Sequence, residues 1–167
     1  MGDMYREILV KRETTGADKV KKYLAVAVTV LLFGWGVLTA AFPFFIAGLV
    51  LALADYYLII PSIEVEYEYL YVNGDIDIDK ILARSRRKRA ASYSKENLEV
   101  MAPTGSDHLT DALKNAKVKD FTSRDPEKKT WTLVFAQESG RESVVLELDD
   151  ETAQDMRRFA PRKVFFD

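Results

Sequence analysis

From Tyr23 to Ile60 the chain runs for 38 residues with one formal charge, Asp55. A helix packed on a soluble core keeps a polar face, whereas this stretch is apolar on every side. A hydrocarbon core of about 30 Å takes roughly 20 apolar residues per helix. The stretch is therefore too long for one crossing and long enough for two short ones. Pro43, in "TAAFPFF", lacks an amide hydrogen and disfavours helix in the residue before it, so the break belongs there. The spacing predicts a first span from about Lys22 to Ala41 and a second from about Phe44 to Ile60. Gly34, Gly36 and Gly48 are small enough to let the two helices approach. A cleaved signal peptide fits poorly, because its apolar core runs only about 7–15 residues and here a second apolar stretch follows the first.

Orientation follows from lysine and arginine near the span ends. Lys11, Arg12, Lys19, Lys21 and Lys22 precede the first span. Lys80 and the block "RSRRKR", residues 84 to 89, follow the second, and the tip between the spans is uncharged. Both termini are expected in the cytoplasm, which makes this a multi-pass protein of the cell membrane. Lys21, Lys22, Tyr23, Asp55, Tyr56 and Tyr57 are the expected membrane-interface residues. Asp55 has two readings: an interfacial carboxylate at the membrane edge, or an acid on an ion or proton path.

The remaining sequence alternates like a sheet. In "IEVEYEYLYVNGDIDIDKIL", Asn73-Gly74 is the preferred two-residue hairpin turn. One face then collects Ile63, Val65, Tyr67, Tyr69, Tyr71, Ile76, Ile78 and Leu82. The other carries Glu64, Glu66, Glu68, Asp75, Asp77 and Asp79. This register sets Glu68 opposite Asp79, a like-charge pair that needs a cation beside it. The basic block follows as a third strand, roughly Arg86 to Tyr93. Two readings stand for Arg84, Arg86, Arg87, Lys88 and Arg89: neutralising their own sheet's carboxylates, or binding an anionic leaflet or a partner. The even-numbered members share one strand face and Arg87 and Arg89 the other.

Further strands are predicted at 97–103, 118–123, 130–137 and 143–148, the last two joined across residues 138–141. A helical turn is expected over 106–115, capped by Ser106. A closing helix is expected in "DDETAQDMRRFAP", its acidic start and basic end suited to the helix dipole. Ala153, Met156 and Phe159 should face the sheet. Residues 5–13 are strand-like and either join the sheet edge or form a leader. The fold class is α+β: a two-helix transmembrane hairpin, then a mainly antiparallel β domain of about seven strands with a C-terminal helix. The expected divisions are a cytoplasmic segment over 1–21, the helical hairpin over 22–60 and a cytosolic domain over 61–167.

The junction "VEYEYLYVNGDIDIDKILARSRRKR", the two spans and the ending "PRKVFFD" resemble a family of small bacterial two-span membrane proteins catalogued as a domain of unknown function. In strand count and closing helix the cytosolic part is similar to bacterial pleckstrin-homology-like (PH-like) domains. The resemblance implies a bent seven-stranded sheet closed at one end by a helix. It brings no catalytic residues.

The chain contains no cysteine, which removes disulfides, thiolate metal sites and thiol nucleophiles. The single histidine, His108, lies in a polar stretch. Its neighbours Ser106 and Asp107 do not make a triad, since triads assemble from separated segments. No phosphate loop or dinucleotide fingerprint occurs. A net charge of -2 argues against a general nucleic-acid binder. The sequence therefore points to a non-catalytic, membrane-anchored module with no cofactor or metal. Its expected partners are the bilayer, anionic phospholipid, and a protein partner or further copies of itself. The alternative is an accessory or pore-forming subunit of a membrane complex.

Overall fold

The computed structural model describes residues 4–166. They form two compact units. One comprises Glu13–Val65 with Leu82–Arg86; the other comprises the described residues up to Arg12, Glu66–Ile81 and the chain from Arg87 onward.

The first unit is a pair of helices. Helix α1 spans Gly16–Leu38, and its start is set by a capping box. Thr15 Oγ1 accepts from the Asp18 amide at 3.2 Å while Asp18 accepts from the Thr15 amide at 3.1 Å. The helix thus begins six residues before Lys22, because its N-terminus is fixed by capping and not by where the apolar run begins. The chain reverses over residues 39–41, with Ala40 at a φ of 51°. Helix α2, Phe42–Ala54, takes Pro43 into its first turn. An amide is unpaired there in any case, so proline opens the helix and does not delay it to Phe44. A π-helical turn, Asp55–Ile59, and the short helix α3, Ile60–Ile63, continue the run. Gly16–Leu38 and Phe42–Ile63 are long and apolar enough to cross a membrane.

Two of the three glycines lie at the helix contact. A Cβ on Gly36 would strike the Phe44–Phe45 backbone, and one on Gly48 would lie 2.7 Å from the Phe33 Cα. Gly34 has nothing within 4 Å of its Cβ position and takes no part.

The second unit contains two four-stranded sheets. Strands β1 (Tyr5–Lys11), β2 (Val65–Val72), β3 (Asp75–Leu82) and β4 (Arg86–Tyr93) form one, in the order β1-β2-β3-β4. The N-terminal strand pairs antiparallel with β2, Tyr5 opposite Val72 and Lys11 opposite Glu66, so residues 5–11 join the sheet edge. The β2–β3 turn is Asn73-Gly74, both with positive φ, at 50° and 97°. Strands β5 (Leu98–Pro103), β6 (Lys117–Asp120), β7 (Trp131–Gln137) and β8 (Gly140–Leu146) form the other sheet, ordered β5-β7-β8-β6. The β7–β8 loop closes over two residues, Glu138 and Ser139, so β8 begins at Gly140, three residues earlier than the apolar run suggests. Strand β6 runs parallel to β8. Residues 104–116 before it supply the dozen or so residues that a parallel connection needs; Ser106 caps a short 3-10 turn there, Asp107–Leu109.

The core lies between the sheets and under helix α4, Asp150–Phe159. Tyr67, Tyr69, Tyr71, Ile76 and Ile78 from the first sheet and Trp131, Leu133, Phe135, Val144 and Leu146 from the second are all buried. Two phenols tie the layers by hydrogen bonds. Tyr69 donates to the Phe121 carbonyl and Tyr71 to Asp155 Oδ2, each at 2.7 Å. Burial raises both phenol pKa values above the ordinary tyrosine range, and the Asp155 carboxylate raises that of Tyr71 further. Ala153 and Met156 are fully buried, as the α4 pattern requires. Phe159 is not: it is 42% exposed, with Lys95 Nζ 4.5 Å above its ring. It lies in the last turn of the helix, where it covers the Gly74 turn instead of entering the core.

Candidate functional site

The chain between β3 and β4 turns over three residues, 83–85, two of them poorly suited to it. Ala83 and Arg84 have φ values of 46° and 55°, a conformation that favours glycine or asparagine. The Ala83 amide donates to the Glu64 carbonyl at 2.8 Å, and the Ser85 amide to the Leu82 carbonyl at 3.1 Å, which hold the turn. Backbone strain of this kind costs about 1–3 kcal/mol per residue and persists only where its surroundings fix it. Here the turn presents Arg84 as an exposed cation.

The same unit gathers the expected interface residues other than Asp55 at one end of the helix pair. Lys22 Nζ pairs with Glu64 Oε1 at 3.1 Å, joining α1 to the chain that leaves α3. The Arg86 guanidinium lies 5.3 Å above the Tyr57 ring, and Tyr57 meets Tyr56 edge-on. Tyr23 and Lys21 are exposed. Arg86 and Tyr57 are brought together across 29 positions of sequence, a pairing that local pattern does not reveal.

Asp55 lies inside the pair. Its Oδ2 accepts from the Thr29 hydroxyl at 2.7 Å. Thr29 is two helical turns, about 10 Å, along α1 from Lys22. The carboxylate therefore faces the neighbouring helix two turns in from the Lys22–Glu64 pair. The π-helical turn begins at Asp55, and such turns relocate side chains within a helix.

The basic block divides. Arg87 Nε donates to Asp79 Oδ2 at 2.8 Å, and its other arm pairs with Glu68. Arg89 lies 3.1 Å from Asp77 and 3.6 Å from Asp79. These two residues supply the cations that the Glu68–Asp79 juxtaposition requires. Arg86 is directed to Tyr57, and Lys88 is exposed. Odd-numbered Arg89 and even-numbered Ser92 both reach Asp77, so the alternation of β4 changes phase at Ala90–Ala91. That slip lets Tyr93 enter the core and stack on Phe135 while Arg87 and Arg89 stay outside with the acids.

No catalytic constellation accompanies this geometry among the described residues. The Ser106 oxygen accepts from the His108 backbone amide as a helical cap, and the His108 ring stacks on Phe165 at 3.9 Å. No group of three or more His, Cys, Asp or Glu side chains is placed to hold a metal ion among those residues.

No curated protein and no solved structure matches the chain. A family model described as "Bacterial PH-like domain (DUF6106)" matches residues 2–166. That span takes in both long helices, both sheets and the basic turn, and the chain belongs to this bacterial PH-like domain family.

Proposed function

We propose that the protein is a membrane-anchored, non-catalytic module. Its two helices cross the cell membrane as a hairpin with both chain ends in the cytoplasm, and its basic turn binds the anionic inner leaflet. The observation that carries this reading is the Arg86 guanidinium above the Tyr57 ring. It joins the basic turn to the polar end of the second apolar helix, within one compact unit. Arg84 lies in the strained turn two residues before it. Each basic residue near an anionic leaflet gains about 1 kcal/mol, and a tyrosine at the headgroup level is stable on both counts, apolar ring and polar tip. The lysines in the first two turns of α1 and the arginines after α3 support the same orientation, because the hairpin tip has no charge.

An accessory or pore-forming role would place Asp55 on an ion path. Its Oδ2 accepts from the Thr29 hydroxyl of the neighbouring helix.

The test uses the full chain in nanodiscs of phosphatidylcholine with and without phosphatidylglycerol. Amide exchange of residues 82–87 should slow when the anionic lipid is present. The protection should fade in high salt, where charges are screened within a few ångströms. It should vanish in Arg84→Gln/Arg86→Gln. Equal exchange in the two lipids would contradict leaflet binding by this turn.

A further inference from the structure

We propose that the outward face of the first sheet is a docking surface for an extended, cationic segment of a partner protein. The face is described within one compact unit, and the argument is independent of the membrane reading.

The register fixes which side chains share it. Tyr5 is opposite Val72, Glu7 opposite Leu70 and Leu9 opposite Glu68. Beyond the Asn73-Gly74 turn, β3 adds Asp75 and Asp77. Apolar side chains on β1 and β2 thus lie beside carboxylates on β3. Tyr5 and Leu9 are each 60% exposed and Val72 42%. Leu70 and Val72 also line a cavity of about 480 Å³ that is bordered by Asp75, Asp77 and two serine hydroxyls.

Charge separates this face into two ends. At the Glu68–Asp79 end, Arg87 compensates the acids. At the other end Arg89 meets Asp77, and Asp75 and Glu7 are left over. Asp75 accepts through one oxygen only, from the Ser94 hydroxyl at 3.1 Å and the Lys95 amide at 2.9 Å. Glu7 receives the Tyr5 hydroxyl at 3.4 Å. Neither has a cation within ion-pair distance among the described residues.

An apolar floor bordered by uncompensated carboxylates suits a lysine or arginine side chain. The methylene stem covers Leu70 and Val72, and the charged head reaches Asp75. Strand β1 is the outer strand of its sheet, the position from which extended partners pair. The same charge repels nucleic acid and anionic lipid.

The probe is a fluorescein-labelled peptide of alternating lysine and valine, titrated by anisotropy against the full chain in phosphatidylcholine nanodiscs. Saturable binding is expected, weakened about tenfold in Glu7→Gln/Asp75→Asn. Asparagine keeps the oxygen that accepts from the Lys95 amide, and an unchanged melting temperature confirms that the fold is kept. A peptide of alternating glutamate and valine should not bind. No binding, equal binding of the two peptides, or undiminished binding to the variant would overturn the proposal. So would self-association that Asp75→Asn abolishes while the lysine peptide goes unbound, since the occupant would then be a second copy.

Discussion

Arg87 donates through Nε to Asp79 Oδ2 at 2.8 Å while its other arm meets Glu68. Glu68 and Asp79 are only 7% and 8% exposed, so this guanidinium sets a positive charge beside two nearly buried carboxylates at once. The basic block is therefore not a uniform patch. Arg87 and Arg89 meet the acids of the sheet, and Arg86 meets Tyr57.

Removing Arg87 should cost far more than removing its neighbours. Arg87→Gln leaves Glu68 without its cation and Asp79 with only the longer Arg89 contact, and breaking a buried pair costs about 3–5 kcal/mol. Half of the arginine is exposed, so the lower end of that range applies. Lys88→Gln should change stability by less than about 0.5 kcal/mol, as expected for an exposed position. Thermal unfolding of the full chain in detergent compares the two. Equal losses would mean that the block acts as one surface.

A second expectation concerns alkaline pH. Tyr69, Tyr71 and Tyr93 are buried, and burial is the leading cause that raises each phenol pKa above its ordinary value near 10. The folded state thus holds these protons more tightly than the unfolded chain. Their contribution is intact below pH 10 and is lost as the pH rises towards the folded values. Each such phenol adds about 1.4 kcal/mol per pH unit to the loss. Tyr71→Phe should remove one such increment from the slope above pH 10. It should also cost about 1–3 kcal/mol at neutral pH, because Asp155 loses its donor. Denaturant titrations at several pH values measure both, and an unchanged alkaline slope would contradict the assignment.

The turn at Gly74 gives a third. A Cβ there would lie 2.8 Å from the Lys95 side chain and 3.3 Å from the Phe159 ring, and the φ is 97°. Gly74→Val should destabilise the protein by about 1–3 kcal/mol through backbone strain, with the contact adding to it. An unchanged melting temperature would place the strain elsewhere.

At the helix crossing, Gly48→Ala should loosen the pair while Gly34→Ala should not. The Gly48 Cβ would press on Phe33, and that of Gly34 meets nothing. Overpacking at such a contact typically costs about 1–3 kcal/mol. Disulfide cross-linking between single cysteines placed on α1 and α2 reads the difference, which should be absent for Gly34→Ala.

Much of this architecture is legible in the residues, for definite reasons. The apolar run needs no tertiary context to be read as two long helices, and Asn73-Gly74 specifies its own turn. Alternation separates the buried tyrosines from the acids of β2 and β3. What is not legible depends on one-residue differences or long-range pairing. The phase change at Ala90–Ala91 decides which arginines meet the acids, and two alanines carry no signal for it. The parallel β6–β8 pairing depends on where a crossover lands, since β6 is a short run with every residue exposed. Phe159 fits the helical period of Ala153 and Met156 yet lies past the edge of the core. Of the candidate site, the basic and aromatic residues are visible in the sequence. Their meeting, Arg86 on Tyr57 and Thr29 on Asp55, is not.

The central claim is the hairpin with its tip outside and its domain inside, and the cysteine-free sequence allows a direct test. Thr39→Cys at the tip and Ser139→Cys in the β7–β8 turn, made singly, are exposed to a membrane-impermeant maleimide in intact bacterial cells. The account predicts labelling at position 39 in intact cells and at position 139 only after the membrane is opened. Labelling at 139 in intact cells, or at neither position until lysis, would contradict it.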